Sequence, residues 1–147
     1  MKILKATITN IPELCILLDS LFSQELEFES NRQIQTKALT AVINNKEVGD
    51  IFVAIKDEKI VGMINLLYTI STALGGKVAL LEDMVISQDN RGLGVGSLLI
   101  EHAITYAKQN ECQRITLLTD NDNHNAHNFY LKHGFESSSM KTFRKLL

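Results

Sequence analysis

The sequence predicts a single α/β domain in which a mixed sheet carries helices on both faces. Its 147 residues, 45% of them hydrophobic, suffice for one sizeable core and are too few for two ordinary domains. Short alternating apolar runs predict strands, and longer stretches with apolar residues at helical spacing predict helices between them. We therefore expect residues 1–147 to form one domain.

The first part of the chain shows two helix patterns after a short strand. Lys2 to Thr7 is typical of a strand. Asn10 is a good N-cap residue and Pro12 falls in the first turn, which predicts a helix to about Ser23. A second, weaker helix pattern covers residues 37–43.

The rest of the chain alternates between strand and helix patterns. Ile51 to Ile70 predicts a hairpin, and Val78 to Ile86 a further strand. Leu93 to Asn110 has the apolar stripe of an amphipathic helix. The remaining predictions are a strand over Arg114 to Leu118, a helix over Asn123 to His133 closed by Gly134, and a final strand pair from Phe135 onward. The predicted order is β-α-α-β-β-β-α-β-α-β-β.

Composition argues against several classes of protein. The formal net charge is -2 and the pI is about 6.1, so a nucleic-acid partner has little electrostatic support. No stretch reaches the roughly 20 apolar residues of a membrane span, so no membrane association is expected. We see no signal peptide, and two cysteines make no disulfide framework. A cytoplasmic location is therefore expected.

A glycine-rich turn between the strand ending at Ile86 and the next helix is the most informative segment. It contains Arg91, Gly92, Gly94 and Gly96. Glycine permits positive φ and a close approach of the backbone to a ligand. The first amides of a helix have no internal partner and lie at the positive end of its dipole. The turn therefore suits an anion such as a diphosphate.

Other families with glycine-rich turns fit this segment less well. A P-loop requires a lysine before its hydroxyl residue, whereas Gly96 precedes Ser97. A dinucleotide-binding fingerprint requires a third glycine where Ser97 stands, and it opens the first β-α unit of its fold. A tight turn selected for packing alone remains the structural alternative.

The predicted C-terminal helix carries a second motif about thirty residues later. Asn123, Ala126, Phe129-Tyr130 and Gly134-Phe135 are spaced as N-x-x-A-x-x-F-Y-x-x-x-G-F. With the Arg91 to Gly96 turn, which resembles Q/R-x-x-G-x-G/A, the pair resembles the GNAT N-acetyltransferase family. The resemblance implies that residues 1–147 form one N-acetyltransferase domain with acetyl-CoA as co-substrate.

The same resemblance implies roles for individual residues. The turn's amides would hold the pyrophosphate of acetyl-CoA, and the strand before it would contact the thioester arm. The implied cofactor-binding residues are Met84, Val85, Ile86, Arg91, Gly92, Leu93, Gly94, Val95, Gly96, Ser97 and Asn123. Tyr130 would be the acid that protonates the departing thiolate. On helix periodicity alone, Tyr130 is instead a core-edge aromatic.

Transfer to an amine also requires a base, because an alkyl amine is nearly all charged at neutral pH. Glu82 is the candidate catalytic base, since it lies on the strand that should line the cleft. Asp83 points to the opposite face because strand side chains alternate. The sequence leaves open which of the two carboxylates faces the cleft.

The acceptor is less constrained by the sequence. Glu25, Glu27 and Glu29 form an acidic run that suits either a cationic acceptor or a solvated loop. His124, His127 and His133 lack the further ligands of a metal site, so no metal is expected.

The expected function is transfer of an acetyl group to a primary amine of a small molecule. A protein amine and a non-catalytic acyl-CoA sensor are the alternatives. A homodimer is one arrangement that the sequence allows. The acceptor, the acyl-chain preference and the oligomeric state stay open.

Overall fold

The computed structural model describes residues 1–24 and 31–147. The helices are α1 (Ile11–Phe22), α2 (Arg32–Ile43), α3 (Val95–Gln109) and α4 (His124–Lys132). The strands are β1 (Lys2–Lys5), β2 (Gly49–Lys56), β3 (Lys59–Ser71), β4 (Gly76–Ile86) and β5 (Ile115–Leu117). Single 3₁₀ turns precede α1 and follow β4. Across the described ranges, no helix is long and apolar enough to cross a membrane.

The five strands form one sheet in chain order. β1 to β4 are antiparallel to their neighbours, and β5 pairs with β4 in parallel. The crossover from β4 to β5 runs through α3, as a parallel connection requires.

Helices cover both faces of this sheet because the side chains of its central strands alternate between two cores. On β2, Ile51 and Val53 pack with α1 and α2. The alternate residues of the same strand, Phe52 and Ala54, pack with α3 on the other face. Each aliphatic side chain buried in this way contributes roughly 1.5–3 kcal/mol. The predicted mixed sheet with helices on both faces is confirmed.

A β-bulge interrupts the pairing of β3 with β4. Leu66 pairs with Leu81 and Asn65 pairs with Asp83, so Glu82 is an extra residue with no partner on β3. On its other side, β4 pairs with β5 only over Ala79–Leu81. From Glu82 onward, β4 therefore has an open edge, and the sheet divides at this point.

Two element predictions need correction. The final strand pair from Phe135 onward is wrong, because the structure contains no strand after α4. Met140, Phe143 and Leu146 are almost fully exposed, so the apolar side chains of this segment do not pack against the sheet.

The second helix begins at Arg32, five residues before the predicted start, because the Asn31 side chain accepts a hydrogen bond from the Ile34 N–H. The acidic run of Glu25, Glu27 and Glu29 lies outside the described residues.

Candidate active site

The glycine-rich turn presents a series of backbone N–H groups at the start of α3. Gly92 and Gly94 have φ of +73° and +82°, which a residue with a side chain adopts only under strain. Gly94 is the N-cap of α3, and Leu98 donates the first helical bond to its carbonyl. Within the described ranges, the N–H groups from Gly92 to Ser97 donate to no other group. These amides therefore form a cradle for an anion.

Arg91 fixes the start of this cradle to the end of β4. Its Nε donates a hydrogen bond of 3.1 Å to the carbonyl oxygen of Ile86, while the residue as a whole is exposed. The guanidinium has further N–H donors that remain available to a ligand. The positive charge and the free amides of the turn thus lie at the same corner of the molecule.

The open edge of β4 supplies the next donors. Ser87 N donates to Val61 O at 2.9 Å, and Ile86 pairs with Gly62 in the adjoining register. Because hydrogen-bonded and non-hydrogen-bonded pairs alternate in an antiparallel ladder, the N–H groups of Met84 and Ile86 face the open edge. The Val85 N–H faces β3, and the Val85 side chain is buried toward α1. Of the three strand residues predicted to bind cofactor, Met84 and Ile86 therefore offer an amide there.

Tyr130 lies against this edge. Its hydroxyl donates a weak hydrogen bond of 3.8 Å to the Met84 sulfur, and its ring packs edge-on against Phe129 and Phe135. Burial raises the pKa of Tyr130 to about 12, so the phenol keeps its proton at neutral pH. A thioether is a poor acceptor, and the O–H is therefore free to donate to a better one.

The start of α4 is set by Asn123, whose side chain accepts a hydrogen bond of 3.1 Å from the Ala126 N–H. The predicted N-cap is confirmed. At the other end, Gly134 has a φ of +88°, which confirms the predicted left-handed residue after the helix. These two ends fix the register in which α4 presents Tyr130 to β4.

The two candidate carboxylates have different surroundings. Glu82 is exposed at the bulge. Asp83 is partly buried and accepts a hydrogen bond of 3.0 Å from the side-chain nitrogen of Asn65. Burial and, to a smaller extent, the negative charge of Glu82 raise the pKa of Asp83 to about 6, against the lowering effect of the hydrogen bond from Asn65. An exposed carboxylate and a partly buried one of raised pKa thus stand side by side where the sheet divides.

Asn65 is a residue of the site that the sequence motifs did not predict. The residue is only 6% exposed, and its Oδ1 has no hydrogen-bond partner among the described residues. Protonation of Asp83 would offer this oxygen a donor. An asparagine within an otherwise apolar strand is the signal that could have found it, because a buried amide requires partners.

A second group absent from the predictions joins α3 to α4. The His133 ring lies 3.1 Å from the Ser97 hydroxyl through Nε2 and 2.6 Å from a Glu101 carboxylate oxygen through Nδ1. The other two histidines of this segment, His124 and His127, contact each other edge-on. Nowhere in the described ranges do three His, Cys, Asp or Glu side chains converge as a metal site.

Comparison with known proteins assigns this arrangement to a family. Residues 14–135 match the Acetyltransferase (GNAT) family. YhfO, an uncharacterised N-acetyltransferase of Bacillus subtilis (strain 168), is 30% identical over 122 residues, which are 81% of each chain. Streptothricin acetyltransferase A of the same organism is 39% identical over 64 residues, covering 44% of this chain and 37% of its own.

A solved structure shares the whole architecture. The structure of a possible acetyltransferase from Clostridium difficile 630 superposes with a TM-score of 0.89 at 16% identity, covering 99% of this chain and 97% of that one. The family match spans both the glycine-rich turn and the Tyr130 helix, the two segments that form the candidate site. The chain belongs to the GNAT acetyltransferase family.

Proposed function

We propose that this acetyltransferase moves an acetyl group from acetyl-CoA directly to a primary amine of a small molecule. One observation carries the proposal. Hydrogen-bond donors stand at both ends of the segment between the bulge and α3: the open edge of β4 and the Tyr130 hydroxyl at one end, and the free amides of the turn at the other. These donors suit a ligand with an anionic end and a reactive carbonyl at its other end.

Binding would begin at the turn. The amides of Gly92 to Ser97 and the Arg91 guanidinium would take the diphosphate, and Asn123 at the start of α4 would border the same cleft. Gly92 and Gly94 place no side chain on this surface. A Cβ added to either would meet no protein atom within 4 Å, so it would extend into open space. The space above the turn is therefore open to a ligand.

The open edge of β4 would then polarise the thioester carbonyl. A preorganised N–H stabilises the charge that develops on this oxygen in the transition state. The Met84 N–H is the best placed donor, because the Tyr130 hydroxyl touches the same residue. One peptide group and one side chain would thus act on neighbouring atoms of the thioester.

Glu82 would serve as the base. As the amine nitrogen forms its bond to the acetyl carbon, Glu82 would accept the surplus proton, directly or through a water molecule. Asp83 is the second candidate, since a carboxylate with a pKa of about 6 accepts a proton near neutral pH. Both carboxylates lie at the bulge, so either position is compatible with the same cleft.

Tyr130 would donate its proton to sulfur as the carbon–sulfur bond breaks. With a pKa of about 12 against about 8.5 for a free thiol in water, proton transfer from Tyr130 to the released thiolate is uphill by about 5 kcal/mol, and the sulfur of the intact thioester is a weaker base still. The transfer is therefore expected in step with the departure of the thiolate, when the sulfur gains negative charge. The acetyl group then resides on nitrogen, and the other product is the free thiol.

Support for a small-molecule acceptor comes from a relative. Streptothricin acetyltransferase A is named for a small-molecule substrate, and it shares 39% identity with 64 residues of this chain. Acetylation of a protein amine is the second candidate, and an acyl-CoA sensor without turnover is the third. Tyr130 favours an enzyme, since binding alone has no use for an acid beside the open edge. A cytoplasmic location and a homodimer remain predictions.

A screen of amine acceptors with detection of released thiol tests the proposal. The panel should contain diamines, aminoglycosides, amino acids and lysine-containing peptides, each with acetyl-CoA. We expect thiol release that depends on a small amine and the acetylated amine in equal amount. Thiol release with peptides but with no small amine would favour acetylation of a protein amine. Tight acetyl-CoA binding with no acceptor-dependent release would support the sensor.

A further inference from the structure

We propose that His133 is a positioning residue that acts through Ser97 and couples acetyl-CoA binding to the uptake of one proton. This inference rests on the proposed function, because it assumes that the turn receives the diphosphate. The three side chains involved are Ser97 and Glu101 from α3 and His133 from the end of α4. The His133 side chain is only 8% exposed, so protein groups rather than water define its hydrogen bonds.

The direction of these hydrogen bonds follows from the chemistry of the partners. An ionised carboxylate only accepts, so the Nδ1 of His133 carries a hydrogen toward Glu101. In the neutral ring, Nε2 then has a lone pair and no hydrogen. The Ser97 hydroxyl must therefore donate to His133 across 3.1 Å, and its hydrogen points away from any ligand in the turn.

Protonation of His133 reverses the bond. Both ring nitrogens then donate, and Nε2–H points at the Ser97 oxygen. The hydroxyl becomes an acceptor from His133, and its own hydrogen is free to turn toward an anion. Ser97 is in the first turn of α3 beside free amides, so the released hydrogen adds a donor to the cradle.

Two further effects favour the same state. A diphosphate in the turn attracts the positive charge of a protonated His133, and the carboxylate of Glu101 balances that charge from the far side. Glu101 from α3 is the charged side chain that the described residues place against the ring, while its neighbour on α4 is the uncharged Phe129. Ligand and proton therefore bind with positive coupling, and by linkage the coupling is reciprocal.

Calorimetry of ligand binding between pH 6 and pH 8, in buffers of different ionisation enthalpy, measures the linked proton. Acetyl-CoA lacking its 3′-phosphate is the probe, because a phosphate monoester itself titrates near pH 6. We expect net proton uptake, with affinity about three- to tenfold higher at pH 6 than at pH 8, since one linked proton changes affinity at most about tenfold per pH unit.

Three variants assign the proton. His133→Gln keeps an amide near Ser97 but cannot titrate, and Ser97→Ala removes the hydroxyl that carries the signal. His133→Gln should bind the probe with little or no pH dependence. Ser97→Ala should show a smaller pH dependence than the wild type, because only the direct attraction between His133 and the diphosphate is left. His124→Gln is the matched control, because His124 is exposed on the same helix and contacts His127 rather than Ser97. It should retain the uptake of the wild type.

The outcomes separate this inference from the proposed function. Binding to the wild type without proton uptake, or uptake that survives in His133→Gln, overturns the coupling and leaves acetyl-CoA binding intact. Uptake that disappears in Asp83→Asn instead assigns the proton to Asp83, whose pKa is raised by burial, and also overturns the coupling. No binding of the probe or of acetyl-CoA at any pH overturns the proposed function itself.

Discussion

Replacing Asp83 by asparagine should stabilise the protein at neutral pH, although the position lies in the candidate site. Ionised Asp83 is partly buried and accepts one hydrogen bond, from Asn65. Asparagine has nearly the same shape, and its carbonyl accepts the same bond. Its amide also offers an N–H to the Oδ1 of Asn65, which lacks a partner among the described residues.

The expected magnitude follows from the pKa of Asp83. Burial raises it from 3.8 to about 6, and each unit corresponds to 1.36 kcal/mol, so ionisation in the folded state costs about 3 kcal/mol. The folded protein binds the proton more tightly than the unfolded chain. The contribution of Asp83 to the free energy of unfolding therefore falls as the pH rises from about 4 to about 6, and it stays constant above that range. Asp83→Asn should recover about 3 kcal/mol at pH 7.5 and less than about 1 kcal/mol at pH 4.

Denaturant unfolding at pH 4 and pH 7.5 measures the difference. Glu136→Gln is the matched control, because it makes the same carboxylate-to-amide change at an exposed position. The control should shift the free energy of unfolding by less than about 0.5 kcal/mol at either pH. A gain for Asp83→Asn that is equal at both pH values, or a loss at pH 7.5, would refute the assignment of a partly buried carboxylate with raised pKa.

Three further variants test the site. Glu82→Gln should lower turnover most near neutral pH, and it should lower the pKa of Asp83, followed by NMR, because a repelling charge is removed; an unchanged pH–rate profile would transfer the base role to Asp83. Asn65→Leu should raise the pKa of Asp83 above about 6, because the hydrogen bond donated by Asn65 is lost. An unchanged pKa would show that Asn65 does not stabilise the ionised Asp83. Tyr130→Phe should slow single-turnover acetyl transfer on the order of a hundredfold with acetyl-CoA affinity nearly unchanged. Tyr106→Phe is its control, since that hydroxyl bonds Lys5 instead; a chemical step of Tyr130→Phe within about twofold of wild type would rule out the acid role.

The glycine-rich turn and the ends of α4 could be predicted because their chemistry is local. Gly92 and Gly94 adopt positive φ, and Asn123 caps the helix that follows it. Each of these choices is determined by a few adjacent residues. The acidic, amide and hydroxyl side chains that meet in the site are distant along the chain. Local sequence patterns do not show which distant residues come together in the fold.

The bulge at Glu82 shows this limit most clearly. Whether Glu82 or Asp83 is buried depends on how β4 registers against β3, and a one-residue slip exchanges the two faces. Asn65 joins the site only through that register. His133 meets Ser97 across 36 positions. The final strand pair failed for the opposite reason: a local pattern suggested strands, but the residues after α4 form no ladder with the free edge of β5.

The central claim is that the turn before α3 binds the diphosphate of acetyl-CoA, and a pair of glycine variants tests it most directly. Gly94→Val and Gly75→Val introduce the same side chain at φ of +82° and +73°, each in open space, so both impose similar backbone strain. Only Gly94 lies in the turn; Gly75 is in the hairpin between β3 and β4. Calorimetry on folded protein should show acetyl-CoA affinity lowered at least tenfold by Gly94→Val and unchanged by Gly75→Val. Equal affinity in the two variants would contradict the account.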